Sequence, residues 1–180
     1  MKIKRFAAIW LLLFTAAMSA AFGQDARFSD AQIVGILLVA NDAEIAAGQI
    51  ALRKSQSKSV QAFAARMVDE HRQVNQEAAA MLQRTGASAA RSDLSDSITR
   101  QTRRDLTMLN DADEYNFDQA YLDREVEFLG QLVRSVDGFI RTAGSPDLKV
   151  LLVRARPAYT FHLDQAHRLQ LVMERPGFGR

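Results

Sequence analysis

The sequence predicts an all-α protein: a ferritin-like four-helix bundle, two antiparallel hairpins joined by one long crossover, preceded by a signal peptide. Three observations predict it. Apolar residues recur at intervals of three and four along most of the chain, the helical period, and no stretch alternates with the period of two that marks a strand. Prolines number only three in 180 residues. Two short joins and one long one separate the helical stretches, and short joins make antiparallel neighbours.

The first 25 residues, "MKIKRFAAIWLLLFTAAMSAAFGQD", stand apart. Lys2, Lys4 and Arg5 precede an apolar run from Phe6 to about Ala17, and Ala21-Phe22-Gly23 fits a small-x-small cleavage site. Residues 1–23 therefore read as a secretory signal peptide, and 24–28 as a linker. The competing reading is an uncleaved anchor, because Phe6 to Gly23 approaches the length that spans a bilayer. Export to the periplasm or envelope is the expectation.

Loss of the leader changes the charge. The whole chain carries 23 basic and 21 acidic residues. Without the leader's three basic residues, 20 basic face 21 acidic, a net charge of −1. The basic isoelectric point thus gives no warrant for nucleic-acid binding, and contact with a membrane is expected only through an uncleaved leader. Arg100, Arg103 and Arg104 read as a solvated helix face. The chain has no cysteine, which excludes disulfides, a lipid-modified cysteine anchor, thiol catalysis and cysteine–zinc sites.

The bundle is expected over residues 29–173, followed by a flexible tail at 174–180. The first helix runs from about Asp30 to Arg53, capped by Ser29 with Gln32 closing a capping box. Its inner stripe is Ile33, Leu37, Ala40, Ala43, Glu44, Ala47, Ile50 and Ala51. The second runs from about Lys58 to Arg84, capped by Ser57 and stopped by Gly86. Val60, Phe63, Ala64, Met67, His71, Val74, Ala78, Met81 and Leu82 form its stripe. The next long helix runs from about Phe117 to Ala143, with Asn116 and Gln119 as a capping box and a wide apolar face. The last begins at Ser145-Pro146, a strong start signal. It continues past Pro157 to about Met173, with Leu148, Leu152, Ala155, Tyr159, His162, Ala166 and Leu169 on one face. Pro157 should kink it. Residues 85–115 form the crossover and carry a short helix around Leu94, Ile98, Leu106 and Leu109.

Three polar residues interrupt the apolar stripes: Glu44, His71 and His162. Carboxylate and imidazole from facing helices are how ferritin-like bundles hold metals, but that pattern also requires Glu-x-x-His on two helices. Here Val68 stands three before His71 and Tyr159 three before His162. Asp164 stands three before His167, which lies about 140° around the helix from His162. Glu125 and Glu127 fall off the deepest stripe. The candidate metal set is therefore Glu44, His71 and His162, with Zn or Fe as the fitting ions. The favoured alternative is a core imidazole bonded to a neighbour, with Asn75 and Glu44 as the candidate partners of His71. Tyr121 and Tyr159 read as core packing. No nucleophile elbow, phosphate loop or dinucleotide fingerprint occurs, so no catalytic residue is named.

The segments "NDAEIAAGQIALRKSQSKSVQAFAARMVDEHRQVNQ", "FDQAYLDREVEF" and "RPAYTFHLDQA" resemble the bacterial family called domain of unknown function 4142. The likeness runs from about Phe28 to Val172. It rests most on Glu44-Ile45 with Gly48-Gln49, Met67-Val68 with His71 and Asn75, Phe117-Asp118 with Tyr121, and Pro157 with His162. The resemblance implies an exported, ferritin-like bundle with motif polar residues at Glu44, His71 and His162. It also implies a histidine after a Val-Glu-x step. Here Val126-Glu127-Phe128 is followed by Leu129, so one helical histidine is missing. The expected role is binding or interaction rather than catalysis. The alternatives are a metal-binding or redox protein on the Glu/His set, and an envelope helper that takes apolar or lipid ligands between its helices. Partner and oligomeric state are not legible.

Overall fold

Serine and aspartate caps set where the helices begin. In the computed structural model, which describes residues 28–173, five α-helices follow one another: α1 Asp30–Lys54, α2 Lys58–Thr85, α3 Asp93–Asp111, α4 Glu114–Thr142 and α5 Pro146–Met173. The expected leader at 1–23, most of the 24–28 linker and the 174–180 tail lie outside the described residues. No strand occurs among the described residues.

Ser29 caps α1 in the anticipated box: its hydroxyl accepts from Gln32 N while Gln32 Oε1 accepts from Ser29 N at 3.0 Å. Ser57 caps α2, and Gly86 closes it at φ +67°, a left-handed conformation that glycine adopts without a Cβ clash. The α4 start differs from expectation. Asp113 is the cap, accepting from Asn116 N at 2.9 Å, so α4 begins three residues before Phe117. The short crossover helix is also longer than expected, 19 residues, capped by Ser92 with Ser95 completing the reciprocal pair. The helix α5 runs through Pro157 without a break.

Contacting residues give the helix directions. Along α1 and α2, Asn41 meets Asn75 and Gly48 meets Val68, so the two run antiparallel. Along α4 and α5, Asp137 pairs with Arg156 and Asp123 with Gln170, again antiparallel. Arg84 with Asp147 sets α2 against α5, and Phe28 with Phe139 and Glu44 with Arg124 set α1 against α4. The four long helices thus close a ring in the order α1, α2, α5, α4, each neighbour reversed. The diagonal partners α2 and α4 run parallel, so the chain between them must travel the length of the ring, and α3 is the strap that does so.

Both ends of the strap are fixed. At its start, Ala90 N donates to Ala31 O at 2.8 Å, and Gly35 lies so close that a Cβ there would fall 2.0 Å from Ala90 O. At its end, Lys54 Nζ donates to the carbonyls of Leu109 (3.0 Å), Asn110 (2.5 Å) and Ala112 (2.7 Å). A lysine there neutralises the carbonyl-rich end of a helix. The α4–α5 turn is held likewise: the Asp30 carboxylate accepts from Gly144 N at 2.8 Å and Ser145 N at 2.7 Å.

The core is built on the predicted stripes, joined by Val34, Ile36 and Leu151. Every named α1 position is buried, as is the α2 stripe up to Met81; Leu82 packs at its margin. The helix α1 is long and apolar enough by composition to cross a membrane, yet most of its apolar residues are buried against its neighbours.

Candidate functional site

At mid-bundle the apolar core gives way to a polar one. Asn41 and Glu44 come from α1, His71 and Asn75 from α2, Tyr121, Arg124 and Glu125 from α4, and Tyr159 and His162 from α5. Asn41, Glu44, His71, Glu125 and His162 are all 0% exposed. These groups form two connected sets, one amide-centred and one ionic.

The amide set starts at the surface. Asp42, a carboxylate that only accepts, takes a bond from Asn75 Nδ2 at 2.8 Å. Asn75 Oδ1 therefore faces inward and accepts from Asn41 Nδ2 at 2.8 Å. Asn41 Oδ1 in turn lies 2.9 Å from both His71 Nδ1 and the Tyr159 hydroxyl. An amide oxygen accepts only, so His71 carries its proton on Nδ1 and Tyr159 donates. The chain of orientations leaves His71 Nε2 as a buried lone pair with no protein partner. The His71 ring stacks between Tyr159, at 5.2 Å between centroids, and His162, at 5.6 Å.

Burial holds the His71 imidazole down at about 4, against a smaller opposing pull from Glu44 and a further push from Arg124. Burial likewise lowers His162 to about 4, helped by its neighbour His71. Both rings are neutral at pH 7. Glu70 Oε2 lies 3.1 Å from His162 Nε2, but off the line that a hydrogen bond requires.

The ionic set is centred on Arg124. Its Nη1 donates to Glu44 Oε1 and, at 2.8 Å, to Glu125 Oε1, while Asp105 of α3 stands 3.8 Å from Nε. The guanidinium also lies over the Phe128 ring, 4.3 Å from its centroid. Two buried carboxylates beside one cation do not both ionise easily. Burial works against charge on Glu44, but Arg124, the neighbouring Glu125 carboxyl and His71 together bring its carboxyl below the usual range. Burial and the Glu44 charge push Glu125 well above it. Glu125 is thus the carboxyl that keeps the proton, and Glu44 is the anion facing Arg124. Outside Arg124, a groove of about 380 Å³ opens between α3 and α4, lined by Asp105, Met108, Asp123 and Phe128 among others.

The three sequence-predicted residues all point into this centre. Glu44 and its neighbour Ala43 are both buried, as the stripe expects. His71 bonds to Asn41, not to the expected Asn75 or Glu44. Tyr121 and Tyr159 are both buried; Tyr159 takes part in the amide set, while the Tyr121 hydroxyl has no protein partner. Sequence reasoning left out Asn41 and Arg124 and set Glu125 off the deepest stripe, whereas Glu125 is fully buried. Spacing could have found Glu125, three after Leu122 and four before Leu129 on one seam. Asn41 likewise falls four after Leu37 and three before Glu44.

As arranged, Glu44, His71 and His162 do not make a ready metal cage. Among the described residues, no three His, Asp or Glu side chains are grouped as an ion would need. One Glu44 oxygen is committed to a guanidinium.

No curated protein and no solved structure matches the chain. A family model described as a domain of unknown function does match, over residues 15–169, most of the sequence. The chain therefore belongs to the domain of unknown function 4142 family.

Proposed function

We propose that this is an exported periplasmic or envelope protein, a ferritin-like bundle strapped by α3, that acts by binding rather than by catalysis. The alternating ring of four helices with a lengthwise crossover supports the ferritin-like reading. The leader-like sequence at 1–23 supports export. One observation carries the non-catalytic reading: the charge of the buried polar centre is balanced from within. Arg124 balances Glu44, Glu125 holds a proton, and Asn41 holds His71 and Tyr159 in place. Such a centre fixes register and orders the core.

The second reading is a metal-binding or redox protein on Glu44, His71 and His162. It is favoured by the lone pairs of His71 Nε2 and Glu44 Oε2, both buried without protein partners. Elemental mass spectrometry separates the two readings, using protein purified from its native compartment without chelator. The binding reading expects metal far below one ion per chain. Stoichiometric metal, lost in a His71→Ala, His162→Ala double variant, overturns it in favour of the second. N-terminal sequencing checks export: a mature chain starting at Gln24 is expected. Such a chain has lost Trp10, its only tryptophan, and with it tryptophan fluorescence.

A further inference from the structure

We infer that the chain pairs with a second copy of itself through the outer face of α5, with Phe161 of each copy entering the groove beside Val150 of the other. This surface lies outside the buried polar centre and serves the pairing whether or not the chain is exported.

The helix α5 is apolar on two sides. Its core side carries Leu148, Leu152, Tyr159, His162 and Ala166. At about 100° per residue, Val150, Val153, Pro157, Phe161 and Leu171 fall along one line on the opposite side. That line faces outward: Val150, Val153, Phe161 and Leu171 are 45–60% exposed, and Pro157 is exposed with them. Single surface hydrophobics are ordinary, but five in one line make a contiguous face of the kind that marks a contact site.

The face is a knob beside a hole. The knob is Phe161. The hole is a groove of about 440 Å³ between α2 and α5, with Ala80, Met81, Val150 and Leu151 in its apolar lining and Glu77 and Arg154 among its charged groups. A twofold axis at Pro157, with the two α5 helices antiparallel, brings together residues equally far from it. Phe161, four after Pro157, then faces Val153 of the other copy, four before it, one turn from Val150. Such an axis keeps both α2 helices on the same side of the α5 pair, so the knob finds the other copy's groove. Each copy gives a knob and receives one, the closed isologous arrangement of twofold dimers. A buried aromatic anchor in an apolar pocket is the usual centre of such a contact.

Charge names the occupant. Two ion pairs on this side, Arg84 with Asp147 and Arg168 with Asp164, are satisfied within the chain. Arg66 and Glu77 stand in no ion pair among the described residues. Arg66 lies over the Phe161 ring, 5.4 Å from its centroid, and Glu77 accepts from the Gln73 amide at 3.0 Å. An unpaired cation thus sits at the knob and an unpaired anion at the hole. The same twofold axis sets Arg66 opposite Glu77 of the other copy, twice by symmetry. Arg154, the other free charge of the groove, meets the incoming ring, a favourable match of cation and aromatic face. An anionic lipid surface would oppose Glu77, whereas a second copy satisfies both signs.

About Pro157 the α5 pair overlaps from Pro146 to Arg168, roughly 34 Å at 1.5 Å per residue. A strip that long and about 10–12 Å wide is roughly half of the ~800 Å² per partner of a standard interface. The α2 rims of the two grooves supply the remainder, which makes the association reversible.

The test is sedimentation velocity on the chain from Gln24 to Arg180, over a micromolar-to-millimolar concentration series, with circular dichroism to confirm that each variant folds. A monomer–dimer equilibrium is expected, with no species above the dimer. Phe161→Ser should weaken it about thirtyfold or more. Arg66→Glu should weaken it about tenfold, and adding Glu77→Arg should restore it, because the swap rebuilds both contacts in reverse. A chain that stays monomeric at every concentration overturns the inference; vesicles of phosphatidylglycerol that bind this monomer, but not Phe161→Ser, would assign the face to lipid instead. A dimer indifferent to Phe161→Ser, a charge swap that restores nothing, or growth past the dimer overturns it as well.

Discussion

The two buried histidines make a quantitative demand on how stability varies with pH. His71 has an ordinary value near 6.5 when unfolded and about 4 in the bundle. At pH 7 neither state binds much proton. At pH 5 the unfolded ring is almost fully protonated and the folded ring almost not at all, so acidification favours unfolding. Stability is present above 6.5 and is lost as pH falls toward 4. Linkage between pH 7 and pH 5 puts the loss at about 2 kcal/mol for this ring. Glu125 works the other way. Its folded value is raised, so the stability it contributes is full below its unfolded value and is lost as pH rises. The total slope of the natural chain mixes these signs, and a difference measurement isolates the histidine. Urea unfolding of the natural chain and of His71→Asn should be followed by circular dichroism at pH 7, 6 and 5. Whatever the variant loses at pH 7, its gap to the natural chain should narrow by about 2 kcal/mol at pH 5. A gap that stays constant, or widens on acidification, would refute a neutral His71 sealed from protons.

Three other perturbations probe the frame. Glu44→Ala leaves Arg124 buried with Glu125 and the more distant Asp105. Because Glu125 can give up its proton and take over as partner, the loss should fall near the lower end of the about 3–5 kcal/mol expected for a broken buried pair, and chemical denaturation reads it. Gly35→Ala places a methyl against the Ala90 carbonyl, and thermal unfolding should show a loss of about 1–3 kcal/mol despite alanine's better helix propensity; an unchanged Tm would mean the strap does not sit there. Lys54→Met removes three bonds to the end of α3 and should cost about 1.5–3 kcal/mol, with hydrogen exchange quickening first in residues 105–112.

Much of the frame was legible because helices announce themselves locally. Ser29 with Gln32, Ser57, Gly86 and Ser145-Pro146 each sit where their side chains or backbone serve a helix end, and the structure uses them so. The α4 start was misread because Asp113 and Asn116 are both competent caps. The choice falls to Asp113, whose carboxylate accepts from both the backbone and the side chain of Asn116. The site was legible in part. Glu44, His71 and His162 stand out because they break apolar stripes. Glu125 was discounted because a lone carboxylate in a core is costly, and the compensating Arg124–Glu44 contact spans 80 positions in sequence, beyond any spacing rule. Asn41 is uncharged and small, so it leaves a weak mark on a hydrophobicity pattern, yet it is the hub that fixes the His71 tautomer.

The apolar character of α1 has a consequence under the proposed export, in which the chain meets lipid on its way out of the cell. Whenever the bundle opens, a hydrocarbon layer competes with the other helices as host for this segment. Its midpoint, however, carries Asn41, Asp42 and Glu44. Lodging an acid there at the bilayer centre costs about 2.5–3.5 kcal/mol on the insertion scale, whereas the folded interior offers Glu44 a guanidinium and Asn41 a set of partners. The same polar girdle that orders the core thus biases the segment toward its own protein and away from the membrane.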